Sequence, residues 1–442
     1  MVLRRSCLIT LIIALSFFYC GRVRGQQGDE DLSVPERAYV ASKIYSSIQV
    51  YFAHKSGIPD LDFDAVYKSY LDKAMGAKGR REFDLATLEF VAKLRNKHTQ
   101  FDDQWLRRKY GQPLGFWVLP LEGKWVVISA RDNGLRSGDV VRAIDGVDIE
   151  AFVRDKERYV NASSERSARS LVFDRTFLFP TNFILELENG RKITIERSEP
   201  SKSAGREARL PASEGRWLQE GTVGYIKIPA FNDPNYEATA IAYVKQYEGA
   251  KCLIIDLRGN GGGSTPYQLI SKLMDREWKG WSISTPAQVA LHRARGEPAA
   301  QLRIESERQV SRPGAFAGRL IILVDRFTCS ATEDFVMPFK DNGRATIIGE
   351  TTEGSSGQPY FFNFGNGMTL LVGAARYTFP DGSPFESVGI KPTISVELHI
   401  ADVRDGIDPV LNKVMPLETL FHNVMSSVLP DCGLTCPTDR IC

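Results

Sequence analysis

Beyond its first 25 residues the sequence has no block of lysine and arginine. That excludes the basic stripe with which a nucleic-acid binder lies along phosphates. Its apolar stretch, "CLITLIIALSFFYC" (7–20), is too short to span a bilayer comfortably, which makes a retained membrane anchor the weaker reading. The glycine-rich stretch at 259–263 lacks the Lys-Ser/Thr ending of a P-loop and does not fit G-x-G-x-x-G. A phosphate cradle and a dinucleotide site are therefore excluded. There is no internal repeat and no low-complexity tract. Cysteine is sparse, seven in 442 residues, and three of the seven crowd into "PDCGLTCPTDRIC" at the end. His422 lies outside that cluster, which argues against zinc and for a small disulfide-tied tail.

What is present begins with Arg4 and Arg5 ahead of the apolar stretch and Val23-Arg24-Gly25 behind it. This is the pattern of a secretory signal peptide cut after Gly25, and it predicts a secreted or periplasmic protein with no membrane span in the mature chain. Cleavage takes the net charge from +2 to −2 and leaves five cysteines, an odd number. At least one thiol is then free or paired between chains. The 43% hydrophobic and 25% charged composition is that of an ordinary globular protein with room for a sizeable core.

Residues 26–110 read as a helical N-terminal region, with Val40, Ile44, Ile48 and Tyr51 at helical spacing. "GIPDLD" (57–62) supplies a break, and "LATLEFVAKLRNKH" (85–98) reads as a helix ending at His98. Residues 111–198 read as short strands and turns, with hairpin signals at Glu122-Gly123 and Asn189-Gly190. Residues 199–412 alternate strands and helices in α/β fashion after a polar crossing segment. Residues 413–442 are expected to form a C-terminal helix and the cysteine-containing tail.

Two stretches carry chemistry. "GRLIILV" (318–324) is a strand buried on both faces, and "DRFTCSATEDF" (325–335) then enters a helix through Ser330. A serine there is either an ordinary N-cap or a nucleophile at the positive end of a helix. "LIIDLRGNGGGS" (253–264) ends a strand at Asp256 and continues into glycines whose N–H groups suit an oxyanion. Asp256 reads as a turn cap rather than an organiser of the site. Cys329, beside Ser330, is an alternative nucleophile. His54 and His292 lack any motif, and Asn161-Ala162-Ser163 is a glycosylation sequon.

Together "DLRGNGGG", "TCSATE", "IIGETTEGSSGQP" (347–359) and "YTFPDGSPFESVGIKP" (377–392) resemble the C-terminal processing and tricorn-core family of serine peptidases. The resemblance implies a crotonase-like α/β catalytic core, here with a helical N-terminal region and an inserted β-rich domain. Residues 111–198 resemble a PDZ domain, with Leu114, Gly115 and Phe116 as its carboxylate-gripping loop. The family implies Ser330 as nucleophile and Gly262, Gly263 and Ala331 as oxyanion-hole donors. Processing proteases carry a lysine base in "TFGKG"; here the segment is "TEGSSG", with Ser355 at the lysine position. The tricorn-like branch uses a histidine instead, which "LRNKHTQF" (94–101) places at His98, with Glu386 as its acidic partner. That branch has serine before the histidine where this chain has Lys97, leaving Ser355 and Ser356 as candidate fourth members.

The expected function is a secreted serine endopeptidase that forms an acyl-enzyme on Ser330, acts on protein or peptide substrates, and needs no metal or cofactor. The alternative is a non-catalytic binder of apolar ligands or peptides, with "YFFNFGNGMTLLV" (360–372) as candidate pocket lining.

Overall fold

The computed structural model describes residues 31–131, 134–197, 210–287, 296 and 300–414. The expected signal peptide, His292 and the terminal cysteines lie outside them.

Hydrophobic alternation builds the central sheet. In the strand Cys252–Asp256, Leu253 and Ile255 enter one core cluster while Cys252 and Ile254 enter another. The strand Arg319–Val324 repeats this, with Leu320, Ile322 and Val324 on one side and Ile321 and Leu323 on the other. Successive side chains face opposite ways, so a near-continuous apolar run is what a sheet covered on both faces requires. Each fully buried aliphatic side chain contributes about 1.5–3 kcal/mol. The sheet has six strands in the order Ile394–Ser395, Ala345–Gly349, Arg319–Val324, Cys252–Asp256, Val223–Lys227 and Glu214–Gln219. The first five run parallel, and Glu214–Gln219 is the antiparallel edge. Helices Pro234–Gln246, Tyr267–Leu273 and Ala331–Asp341 contribute to the same core.

The strands Cys252–Asp256 and Arg319–Val324 are neighbours, with Asp256 opposite Leu323. The loops leaving their carboxyl ends therefore emerge side by side, where open α/β sheets hold their ligands. One carries the glycines 261–263 and the other Ser330.

The helix Val34–Tyr51 packs on the hairpin Pro359–Asn363 and Met368–Gly373, and the helices Phe63–Gly76 and Arg80–Ala92 join the same core. Met368, Leu370 and Val372 are fully buried there, so the candidate pocket lining of 360–372 is strand core on that face. The helix expected to end at His98 stops at Ala92. Lys93 and Leu94 close tight turns onto Phe90 and Val91, and Arg95 takes a left-handed φ of 48°. His98 thus sits on a loop before the strand Gln100–Asp103, which pairs antiparallel with Met368–Gly373.

A second sheet contains the strands Phe116–Leu121, Lys124–Ala130, Val140–Ile144, Asn182–Leu187 and Lys192–Glu196 in that order, with Val147–Asp148 paired to Val140–Ile144. Glu122 and Gly123 turn its first hairpin with φ of 51° and 74°, as a two-residue primed turn demands. Phe116–Leu121 is an edge strand, and the helix Glu165–Leu171 belongs to the same part of the chain.

Candidate active site

Ser330 starts the helix Ala331–Asp341 with φ 57° and ψ −128°, a conformation that a non-glycine residue adopts only when its surroundings impose it. Its N–H donates to Glu333 Oε2 at 3.1 Å and to the Ser355 carbonyl at 3.0 Å. Its hydroxyl makes no capping bond. The hydroxyl instead lies 3.0 Å from His98 Nε2.

His98 Nδ1 lies 3.0 Å from Ser355 Oγ, which donates to Glu386 Oε1 at 3.1 Å. The four side chains stand in file: Ser330, His98, Ser355, Glu386. With Nδ1 holding its proton toward Ser355, Nε2 is left as an acceptor facing Ser330. Burial and the Lys97 ammonium push the His98 pKa down to about 4, so the ring is neutral at ordinary pH. Burial pushes Glu386 up to about 7, against hydrogen bonds from Ser163, Ser355 and Asn96 that favour its charge. Of the two candidate fourth members, Ser355 occupies the file. Ser356 Oγ donates elsewhere, to Asp334 Oδ1 at 2.8 Å.

Lys97 pairs with Glu353 at 3.3 Å, and Lys340 reaches Thr393 on the exposed surface. Cys329 is buried, and its thiol donates toward the Ser355 carbonyl at 3.5 Å. Burial pushes that thiol well above its ordinary value, which makes it inert as a nucleophile. Asp256 is a buried cap: it accepts from the Arg258 N–H and the Tyr225 hydroxyl and pairs with Arg258 and Lys227. His54 is buried against the Ala375 carbonyl.

Three residues were expected to supply oxyanion donors, and one of them does not have its N–H available. The Gly262 N–H donates to Asn260 Oδ1 at 2.9 Å, so it is spent within its own loop. The N–H groups of Gly263 and Ala331 donate no hydrogen bond among the described residues. Gly262 serves by having no side chain. At its φ of 102°, a Cβ would fall 2.8 Å from the Cys329 carbonyl and from Ser330 Cβ.

Sequence reasoning passed over three residues. Asn96 Nδ2 donates to Glu386 Oε1 at 2.9 Å. Glu333, pushed up to about 8 by burial, accepts from Thr352 Oγ1 at 2.5 Å, from the Gly354 N–H at 2.8 Å and from the Ser355 N–H at 3.1 Å. It thereby ties the Ser355 loop to the helix that Ser330 starts. Ser163 was read only as part of a sequon. Asn161 of that sequon is 2% exposed, and its amide donates to the Lys97 carbonyl and accepts from Arg175. It is a framework residue rather than a surface acceptor for sugar. The loop Leu114, Gly115 and Phe116 lies apart from the file and lines a cavity of about 430 Å³ with Trp117, Arg131 and Phe173. Among the described residues no group of three or more His, Cys, Asp and Glu side chains is placed to hold a metal, and no helix is long and apolar enough to cross a membrane.

Residues 222–396 match the model of Peptidase family S41. That segment of the chain is similar to peptidase family S41. It contains Ser330, Ser355, Glu386 and the glycine loop; His98 comes from outside it. Among curated proteins, the carboxyl-terminal-processing peptidase 2, chloroplastic, of Arabidopsis thaliana is 28% identical over 60% of this chain and 48% of its own length. The carboxyl-terminal-processing protease of Synechocystis sp. is 27% identical over 66% of this chain and 61% of its own. The chain thus spans about half to three fifths of these relatives. Among solved structures, mature CPAF complexed with lactacystin superposes with a TM-score of 0.70 at 14% identity, covering 89% of this chain and 99% of that one. Mature CPAF alone gives 0.69 at 15% identity, with 89% and 98% covered. At such identity these two share the mixed α/β fold with the S41 segment and its surroundings.

Proposed function

We propose that this protein is a serine endopeptidase of the S41 family that works through an acyl-enzyme on Ser330. The observation that carries the reading is the file from Ser330 through His98 and Ser355 to Glu386. Ser330 Oγ attacks the scissile carbonyl carbon as its proton passes to His98 Nε2. The carbonyl oxygen takes the electron pair and turns toward the N–H groups of Gly263 and Ala331, fixed dipoles that need not reorganise. The intermediate collapses, His98 returns the proton to the departing amine, and the acyl group stays on Ser330. Water, activated by the same imidazole, then releases it. Ser355 and Glu386 hold the proton on Nδ1 and stabilise the imidazolium while it lasts.

In this reading the S41 segment is a crotonase-like core, and residues 111–198 are a PDZ-like unit that grips substrate carboxylates through Leu114, Gly115 and Phe116. The mature chain is exported after cleavage beyond Gly25, which N-terminal sequencing of the secreted protein tests. A fluorophosphonate label should attach to the wild-type chain and vanish in Ser330→Ala. An unlabelled wild-type protein would sink the peptidase reading and favour a non-catalytic binding protein.

A further inference from the structure

We propose that Ser163, carried by the β-rich part of the chain, is a positioning residue of the peptidase site that fixes the direction of hydrogen bonding from His98 to Glu386. This rests on the peptidase reading above and adds a residue that lies outside the S41 segment.

Ser163 is 5% exposed and touches three members of the site. Its Oγ lies 2.6 Å from Glu386 Oε1 and 2.9 Å from Ser355 Oγ, and it accepts the Lys97 N–H at 3.1 Å. A hydroxyl has one proton to give. The carboxylate is the stronger acceptor, so that proton goes to Glu386, and the Lys97 N–H occupies a lone pair on the other side. Ser355 is then left with Glu386 as the acceptor for its own proton, and its lone pairs face His98 Nδ1. Both hydroxyls donate to one oxygen, Glu386 Oε1, which also accepts from Asn96. The arrangement permits one polarity: Nδ1–H to Ser355, Ser355 to Glu386. It is the polarity that leaves Nε2 open to the Ser330 proton.

The loop bearing Ser163 is held from both sides. Asn161 grips the Lys97 carbonyl, Ser167 bonds Glu353, and Arg166 donates to the Thr352 carbonyl at 2.7 Å. Thus Lys97, which stands where the related branch has serine, is engaged by its backbone N–H and carbonyl and by Glu353. The hydroxyl otherwise supplied next to the histidine is replaced by the pair Ser163 and Ser355.

Removing the Ser163 hydroxyl takes from Glu386 one of the donors that favour its charged form, beside Ser355, Asn96 and the Ser356 backbone, so its ionisation moves to higher pH. Other titratable groups around it are His98 and Lys97 on the loop before Gln100, Cys329 and Glu333 at the nucleophile helix, and Glu353. None of these is altered by the substitution. The experiment measures the rate of fluorophosphonate labelling against pH for the full-length wild type, Ser163→Ala and Ser163→Thr, with Ser330→Ala as blank. We expect Ser163→Ala to label about 10–100-fold more slowly, the scale of a misplaced catalytic group. Its acid limb should move upward by about half a pH unit or more, and Ser163→Thr should restore the wild-type limb. A slower rate with an unshifted limb, or a full rate in Ser163→Ala, would overturn the role while leaving the peptidase reading intact. A wild type that fails to label on Ser330 overturns both.

Discussion

His98 Nε2 stands 3.0 Å from Ser330 Oγ across 232 residues of chain. The two come together because the Met368–Gly373 hairpin strand holds the strand after His98, while the parallel sheet delivers Ser330 from the other side. In the proposed mechanism the pair acts as one catalytic unit, so its losses should not add. Ser330→Ala and His98→Ala should each lower kcat by roughly ten-thousandfold, and the double variant should lose little more. Near-normal hydrolysis by His98→Ala would remove the histidine from the mechanism.

Ser355 holds the position at which processing proteases place a lysine, and here its hydroxyl spans His98 and Glu386. Ser355→Ala should cost about a hundredfold in kcat with KM little changed, because only the imidazole's orientation and tautomer are lost. A large rise in KM with kcat preserved would instead make it a substrate contact.

The pH profile should follow Glu386. Its carboxyl is raised from an ordinary 4.5 to about 7 by burial, and the charged form is the one that supports the imidazolium. Activity should therefore rise with pH through a step near 7. Glu386→Gln should lower the plateau and abolish that step, leaving the limb of His98 near 4. Stability runs the opposite way. A raised carboxyl contributes stability that is complete below its ordinary value and lost as pH rises through the folded one. Melting temperature should fall between about pH 4.5 and 7 in the wild type, and less steeply in Glu386→Gln. Parallel melting curves would rule out the shift.

The sheet and the helix start at Ser330 were legible because their signals are local. A doubly buried parallel strand must be apolar throughout, and a small hydroxyl followed by acids marks the helix start. Ser330 as nucleophile and Ser355 at the lysine position rested on the family resemblance, whereas the helix start at Ser330 and the glycine run could be read this way. The end of the helix before His98 could not. Leu94 keeps the apolar period going after the helix has ended at Ala92, and Arg95 then turns the backbone left-handed. Ser163 was hidden because its role depends on Glu386, which lies 223 residues away. The Gly262 donor failed for a similarly local but invisible reason, an asparagine two residues earlier taking its N–H.

Gly262 should tolerate no side chain. A Cβ there would meet the Cys329 carbonyl and Ser330 Cβ at 2.8 Å, and its φ of 102° is strained for any L residue. Gly262→Ala should abolish fluorophosphonate labelling while near-ultraviolet circular dichroism stays close to wild type. Gly261→Ala has open space and serves as the control. Equal labelling of the two variants would show that the close approach is not needed.

Peptide capture should require a free carboxylate. Gly115 has φ 80°, which turns the loop Leu114, Gly115 and Phe116 at the mouth of the cavity of about 430 Å³. Behind it, Phe116–Leu121 presents a sheet edge on which an extended peptide can add a strand. Backbone N–H groups of such a loop favour a negative charge, and the Arg131 side chain on the cavity wall adds a cation. Main-chain pairing along the edge would bind any extended peptide, so the carboxylate is what should discriminate. Full-length Ser330→Ala protein, which cannot turn the peptide over, should bind fluorescent peptides at least about tenfold more tightly with a free than with an amidated C-terminus. That is about 1.4 kcal/mol, the size of a charge-assisted hydrogen bond or two. Substituting Arg131→Gln should narrow the difference while leaving the labelling rate at Ser330 unchanged in the otherwise wild-type chain. Equal affinity for the two peptides would make this loop a structural turn rather than a carboxylate site.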